Sequence, residues 1–422
     1  MREQLDILKN ENERLLSILQ ISQSFTAELD LELLLKKISD VVRSVLRADR
    51  CTVFLYDSER NELWSKVATG IKNEIRFSAE LGLAGYTART GEVLNIPDAY
   101  ADTRFNPEID KKTGYRTETV LTIPLRDEKN EITGVFQVLN KKNGQFTEED
   151  EKLLGALAST ASTAIENSKS YEDLHRSFIS FIETLSTTLD SRDYITSGHS
   201  RRVTLYSVQI AQLMKLNRNE LDLIRFAALL HDIGKLGIPE MVLFKNKRLS
   251  EDEYEIIKRH ASLSHTILNK IHFQKHLKDL PKIAASHHEK IDGKGYPKGL
   301  KGDQIPLGGK IIAVCDVFDA LTSRKQYSDR LDIEKVIEIL ESETGTSFEP
   351  YVVYQFKNIP LNILIEILEF GHHEELIESD LRFLSKFTMK DLLEIRRTKN
   401  RTAEQRRLDE TFIRYYSRKY RK

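Results

Sequence analysis

Eight of the chain's eleven histidines fall between positions 199 and 288, where an even scatter along 422 residues would leave about two. Imidazole titrates near neutrality and binds transition metals, so this concentration points to metal or proton chemistry. The residues around these histidines recur at helical spacing and show no convincing strand alternation. A fold for this stretch therefore has to bring several helices together around imidazole. The centre of the pattern is LLHDIGKLGIP, where the adjacent His231 and Asp232 can offer a nitrogen and a bridging carboxylate to one metal pair. Mixed nitrogen and oxygen ligands suit Fe, Mn, Zn or Ni rather than Ca or Mg. A His-Asp dipeptide also arises by chance. His199 in SGHSRRV, His260 in KRHASLSH, His287-His288 in SHHEKIDGKGYP and Asp316 in AVCDVFDALTS make an ordered set of it.

The length predicts two or three domains. Residues 1–24 read as a short coiled coil, with Leu5, Leu8, Asn12, Leu15 and Leu19 at a and d spacing, which predicts a homodimer. A single capping helix is the plainer account. Residues 25–168 read as an α+β sensor domain: a helix, an antiparallel sheet carrying CTVFLYD, ETVLTIPL and EITGVFQVLN, then a helix. No proline interrupts Glu149–Leu189, a long helix with a phase shift near Ser168–Tyr171 whose later apolar line is Phe178, Phe181 and Leu185. Within it, 169–189 serves as a connecting signalling helix. An all-α domain follows over 190–358, and 359–422 is a basic helical C-terminal extension. Its last 37 residues hold 13 Lys/Arg against 5 Asp/Glu. This predicts a solvated amphipathic helix before any contact with RNA, lipid or a partner.

Lys+Arg (64) and Asp+Glu (65) nearly balance, which gives no global electrostatic reason to expect nucleic-acid or membrane binding. There is no apolar run of membrane-spanning length, and the charged start MREQLDILKNENERLL lacks a signal-peptide core. Two distant cysteines, Cys51 and Cys315, exclude a disulfide framework and make the cytoplasm the expected compartment.

Residues from about 190 to 356 resemble the HD-GYP family of the HD phosphohydrolase superfamily. The motifs are His231-Asp232-Ile233-Gly234-Lys235 and the complete HHExxDGxGYP run from His287 to Pro297, followed by DALTS and SFEPYVV. The resemblance implies an all-α hydrolase with two divalent transition metals, Fe or Mn before Zn or Ni. One is held by His199, His231, Asp232 and Asp316; the second shares Asp232 and takes His260 and His287. His288 matches a position that reaches a third metal in some members, but Ile195 stands where those members carry a glutamate, which favours two metals.

Lys235, one turn after Asp232, is placed to neutralise a phosphate oxygen, with a surface lysine as the competing account. Arg202 is expected to order a carboxylate or contact phosphate, and Tyr296 to pack on a base or sugar. The glycines of Asp292–Pro297 let backbone approach a ligand. The implied activity is hydrolysis of cyclic di-GMP to pGpG or GMP. Where many members have Asp-Arg-Pro-Tyr-Arg, this chain reads Arg324-Lys325-Gln326-Tyr327-Ser328, so Lys325 keeps a charge without the arginine fork. That leaves 3′,3′-cyclic GMP-AMP as an alternative substrate, and a non-hydrolysing cyclic-dinucleotide receptor as an alternative role.

Residues 25–168 resemble a GAF domain of the cyclic-nucleotide-binding type, through GLAGYTARTGEVLNIPDAYADTRFNPEIDKKTGYRTETVLTIPL and the NKFDE motif Asn140, Lys141, Phe146, Asp150 and Glu151. By that resemblance Thr52, Ala84, Asp110, Thr113, Thr117 and Gln137 line a pocket for cAMP or cGMP, and Lys141–Asp150 is a structural brace. The expected architecture is thus multi-domain, an α+β GAF domain followed by an all-α HD-GYP domain.

Overall fold

The structure is a computed structural model that describes residues 19–65, 75–192, 198–245, 247–323, 330–371 and 373–417. Leu5, Leu8, Asn12, Leu15, Ile195, Lys325 and Ser328 lie outside the described residues. The chain divides into two compact units, Met1–Phe178 and Ile179–Lys422.

In the first unit, helix α1 (Leu31–Val45) starts where the Asp30 side chain accepts the amides of Glu32 and Leu33. Leu31, Leu34, Leu35, Ile38 and Val42 recur at helical spacing and form its buried stripe. The strands are β1 (Ala48–Asp57), β2 (Glu62–Ser65), β3 (Ile75–Ser78), β4 (Leu94–Ile96), β5 (Val120–Arg126) and β6 (Ile132–Lys141), with α2 (Gly82–Thr90) and α3 (Glu108–Thr113) between them. They form one sheet in the order β3-β2-β1-β6-β5-β4, and every pairing is antiparallel. The strand period of two sorts the sheet into faces. Cys51, Val53, Leu55, Phe136 and Val138 pack with α1 and with Leu154, Leu157 and Ala161 of α4 (Glu148–Arg192). Phe54 and Val135 point the other way, onto Ala84 and Ala88 of α2. CTVFLYD falls within β1, while ETVLTIPL and EITGVFQVLN start two residues and one residue before β5 and β6.

β6 ends at Lys141, whose Nζ lies 2.5 Å from Asp150 Oδ2 in the first turn of α4. The same oxygen accepts the Thr147 amide at 2.8 Å. Burial alone would raise the Asp150 carboxyl, but Lys141 and Thr147 outweigh it and hold the pKa below its ordinary value. A carboxyl depressed on folding stabilises the native state above its unfolded pKa, about 4, and that contribution is lost as pH falls through the folded value. Asp150→Asn is therefore expected to lower the melting temperature at pH 7. Thermal melts should show the gap from wild type closing as pH falls below the unfolded pKa of about 4.

Helix α4 runs unbroken, but its later buried stripe differs from the one expected. Ile182, Ser186 and Leu189 are buried, while Phe181 is 58% exposed. Successive residues turn by about 100°, so burial of Ile182 rotates Phe181 outward.

The second unit continues with α5 (His199–Leu213), α6 (Arg218–Leu230), α7 (Glu240–Leu243), α8 (Glu251–Leu268), α9 (Leu280–Ala284), α10 (Leu307–Thr322), α11 (Ile333–Ser342) and α12 (Pro350–Lys357). Capping boxes at Asn217/Glu220 and Ser250/Glu253 open α6 and α8. Ile311, Ile312, Val314, Cys315 and Phe318 are fully buried, as suits a helix at the centre of a bundle. Beyond residue 358 the chain forms α13 (Leu361–Leu368), α14 (Glu378–Leu384), α15 (Met389–Arg397) and α16 (Ala403–Tyr416). This segment is not a single solvated helix, for Leu361, Leu364, Ile365, Leu384, Leu392, Leu408 and Phe412 are buried. No helix among the described residues is long and apolar enough to cross a membrane.

Candidate metal centre

The His-Asp pair sits where a helix ends. His231 caps α6, and Asp232 leads into a 3-10 turn over Ile233–Gly237. That turn lies directly on α8 because residue 234 has no side chain: a Cβ there would fall 1.9 Å from the His260 carbonyl oxygen. Ser264 of α8 closes the contact, its hydroxyl donating to the His231 carbonyl at 2.8 Å and accepting the Gly234 amide at 2.9 Å. His260 comes from α8, His287 and His288 follow α9, His199 opens α5, and Asp316 lies within α10. His199, His231, Asp232, His260 and His287 are buried; His288 and Asp316 are partly buried.

Tautomers follow from the hydrogen bonds. Nδ1 of His231, His260 and His287 each faces the carbonyl three residues back, on Ala228 (2.7 Å), Ile257 (2.7 Å) and Ala284 (2.6 Å). A carbonyl only accepts, so Nδ1 carries the proton and Nε2 presents a lone pair. Yet His260 Nε2 lies 3.3 Å from His287 Nε2, and His231 Nε2 is buried without a hydrogen-bond partner. Asp232 adds acceptors, with Oδ2 3.3 Å from His231 Nε2 and Oδ1 3.5 Å from His260 Nε2. Asp316 Oδ1 lies 3.2 Å from His199 Nε2.

The ligand atoms of His199, His231 and Asp316 lie within 4.8 Å of one another, as do those of His231, Asp232 and His287, and of His260, His287 and His288. Imidazole nitrogens and carboxylate oxygens that converge in this way suit a cation. Nitrogens sharing a tetrahedral ion at about 2.0–2.1 Å stand roughly 3.3 Å apart. The residues present therefore fit a metal ion.

The local field favours neutral imidazoles at His260, His287 and His288, whereas at His231 burial is outweighed by Asp232, which raises its pKa. Burial, reinforced by His288, His231 and His260, holds His287 well below its ordinary pKa. Burial likewise lowers His260 and brings His288 to about 4, so all three are neutral bases. Burial opposes charge on His199 too, but Asp316 and Asp319 overcome it and push the imidazole up to about 10. Asp232 is held well below the carboxylate range: burial acts against this, and Lys235, 2.6 Å away, with His231, outweighs it.

Arg202 reaches a buried carboxylate. Its Nε and one terminal nitrogen bind Asp319 at 2.8 and 2.9 Å, and that nitrogen also reaches Ser323 Oγ at 2.9 Å. Asp319 in turn sits 2.8 Å from His199 Nδ1. Asp319 was absent from the sequence-derived set. Its signal was a carboxylate one turn after Asp316 on an otherwise apolar helix. Tyr296 lies with its ring centroid 4.7 Å from that of His288. The neighbouring glycine serves the loop's own closure rather than a ligand, for a Cβ on Gly295 would meet the His288 carbonyl oxygen at 2.5 Å. Glu289, also missed, shapes the same loop by accepting the amides of Lys298 (2.7 Å) and Leu300 (2.9 Å).

In the first unit, Thr52 and Gln137 are cross-strand partners on β1 and β6, and Ala84 is buried on α2. Asp110 is buried and accepts the Thr117 amide and hydroxyl at 2.7 and 2.9 Å and the Tyr100 hydroxyl at 3.1 Å. Thr113 is exposed, its hydroxyl donating to the Ile109 carbonyl at 2.8 Å. Asn140 accepts the Glu118 amide at 2.6 Å and donates to the Arg116 carbonyl at 2.8 Å. The Asn95 amide donates to the Phe146 carbonyl (2.9 Å) and to Glu151 (2.7 Å), joining β4 to the start of α4.

Residues 183–352 match the family model described as HD domain, and residues 30–165 the one described as GAF domain. Among curated proteins, the 3′3′-cGAMP-specific phosphodiesterase 2 of Vibrio cholerae is 37% identical over 210 residues, 50% of this chain and 40% of that protein. The cyclic di-GMP phosphodiesterase of Thermotoga maritima is 38% identical over 201 residues, 48% of this chain and 54% of that protein. A probable 3′,5′-cyclic phosphodiesterase, pde-5 of Caenorhabditis elegans, is 37% identical over 154 residues, 33% of this chain and 21% of that protein. The chain thus spans about half the length, or less, of these relatives.

Proposed function

We propose that this chain, in which a GAF domain precedes an HD domain, is a metal-dependent phosphodiesterase that opens a cyclic dinucleotide. The observation that carries this reading is the pair of unprotonated Nε2 atoms of His260 and His287, 3.3 Å apart beside the Asp232 carboxylate. His199, His231, Asp232 and Asp316 would hold one metal, and Asp232, His260 and His287 the other, with Fe or Mn before Zn or Ni. Bound there, the metals supply Lewis-acid polarisation of a phosphoryl oxygen and acidify a water. Lys235 keeps its ammonium at the Asp232 carboxylate, where it would offset negative charge on a phosphate. The rings of Tyr296 and His288 offer flat faces to a base or sugar. Arg202 and Asp319 fix the His199 ring, and the chain's own work is to orient ligands and substrate.

Cyclic di-GMP, opened to pGpG or GMP, is the first substrate, in keeping with the name of the Thermotoga maritima relative. The second reading is 3′,3′-cyclic GMP-AMP, favoured by the name of the Vibrio cholerae relative and by Lys325 and Ser328 in place of arginines. The GAF domain takes cAMP or cGMP as a signal, as its resemblance to cyclic-nucleotide-binding GAF domains implies. A homodimer through the N-terminal heptads and a cytoplasmic setting complete the proposal.

The test is hydrolysis of cyclic di-GMP, 3′,3′-cyclic GMP-AMP, cyclic di-AMP and a generic phosphodiester with Mn or Fe, each with and without cAMP or cGMP. Metal-loaded protein that binds but cleaves none of the cyclic dinucleotides would be a receptor. Calorimetric binding of cAMP or cGMP without a rate change would remove the regulatory part.

A substitution behind the ligands probes the same site. Asp319→Asn is expected to weaken metal affinity about 10–100-fold, as loss of a histidine-orienting carboxylate does. A competitive metal-chelator titration measures it. Unchanged affinity would show that Asp319 does not set the His199 ring.

A further inference from the structure

Helix α8 has two working faces. His260 and Ser264 are buried at the metal centre, while Ser262, His265 and Thr266 line a separate groove of about 550 Å³. Lys282 of α9 and Lys298 and Gln304 from the segment after Tyr296 supply the opposite wall. Lys282 and Lys298 are exposed, and neither has an acidic partner among the described residues. The acid in this lining, Glu289, is buried with its two oxygens taken by the amides of Lys298 and Leu300. Burial, and then the charge of Lys298, hold His265 below its ordinary pKa. Gln304 uses its carbonyl on the Lys301 amide at 3.0 Å and keeps its N–H donors. Pro297, Leu300 and Ala285 add an apolar strip.

Two cations without acid partners, the Ser262 hydroxyl, the Gln304 amide and an apolar strip suit a dianionic phosphate borne on a flat organic group, although Thr266 and Ser286 spend their hydroxyl protons on the Ser262 and Ile283 carbonyls. The volume is in the range of small-molecule sites. We propose that this groove binds a nucleoside monophosphate, apart from the metal centre. Its walls adjoin that centre in sequence: Pro297 follows Tyr296, and Glu289 follows His288. A bound ligand pulling on Lys298 would steady the loop that sets Tyr296 against His288. The binding inference stands apart from the reading of the metal centre; its effect on hydrolysis rests on that reading.

The experiment is calorimetric titration of the full-length chain with GMP and, in parallel, with inorganic phosphate. Lys282→Ala/Lys298→Ala should weaken GMP binding at least about tenfold. Lys282→Arg/Lys298→Arg should retain most of it, and basal hydrolysis should be unchanged in both. Both positions are exposed, and matching circular dichroism melts confirm the fold. GMP binding that survives the alanine pair but disappears in His231→Ala/Asp232→Ala belongs to the metal centre and overturns the proposal. Inorganic phosphate binding as tightly as GMP overturns the nucleoside part. No GMP binding at millimolar concentration overturns the whole.

Discussion

Asp232→Asn is expected to remove phosphodiester hydrolysis, lowering kcat/KM at least about a thousandfold, while the helices stay folded. The side chains are nearly isosteric, so what changes is charge and donor pattern. Asp232 offers Oδ2 toward His231 Nε2 at 3.3 Å and Oδ1 toward His260 Nε2 at 3.5 Å, so one carboxylate addresses both histidine groups. Asparagine puts N–H donors in place of one oxygen and leaves the Lys235 ammonium, now 2.6 Å from the carboxylate, without its counter-charge. Both proposed ions lose their shared ligand. Lewis-acid stabilisation worth several kcal/mol then disappears, and each 1.36 kcal/mol is tenfold in rate. Metal analysis should show loss of stoichiometric transition metal, and circular dichroism an intact fold. Chelation of the wild type should reproduce the loss, and Mn or Fe should rescue the wild type but not the variant. A variant that keeps its metal and more than about a tenth of the rate would sink the bridging role.

The difference between what could be read from sequence and what needed the structure has a physical cause. Candidate ligand residues are chemically distinctive types, so His199, His231, Asp232, His260, His287 and Asp316 stand out in order even though the outer two lie 117 positions apart. Residues that hold other residues carry no such mark. Asp319 acts by facing His199 across 120 positions, and Ser264 by bonding a carbonyl 33 positions away. Each is an ordinary helical polar residue until those elements are packed together. Phe181 failed for a related reason. Helical period gives the candidate stripes, but the packing partner selects among them, and it selected Ile182.

The C-terminal segment misled through averaging. Its excess of Lys and Arg suggested a solvated face, but several of these cations are bound to acids within the segment. Arg396 and Arg401 hold Asp409 at 2.7 and 2.6 Å, and Arg414 holds Asp380 at 2.7 Å. Net charge over a window cannot distinguish paired from free cations, and it hides the apolar positions between them. These helices pack Leu392, Leu408 and Phe412 out of water, which a solvated tail would not do.

The pair that ties this segment to the HD domain gives the largest expected loss of stability. Arg330→Met is expected to destabilise the second unit by about 3–5 kcal/mol, because it takes a cation from a buried carboxylate. The Arg330 guanidinium lies 3.0 Å from Glu369 Oε1, with side chains only 7% and 1% exposed. It also donates to the carbonyls of Leu368 (2.9 Å) and Tyr416 (3.2 Å), at the ends of α13 and α16. Tyr416 returns the contact, its hydroxyl donating to the Leu331 carbonyl at 2.6 Å. One arginine therefore joins two C-terminal helices to the chain just after α10, the helix that carries Asp316 and Asp319. The charge itself is replaceable. A buried ion pair gains little over well-packed apolar groups, so Arg330→Met/Glu369→Leu should recover most of the loss that the single substitution causes. Urea unfolding measures both variants, and hydrogen exchange at the α13 amides localises the effect. If the single variant loses less than about 1 kcal/mol, the pair behaves as a surface bridge and the clamp is wrong. If the double variant is as unstable as the single one, the carbonyl contacts of Arg330, rather than its charge, hold the helices.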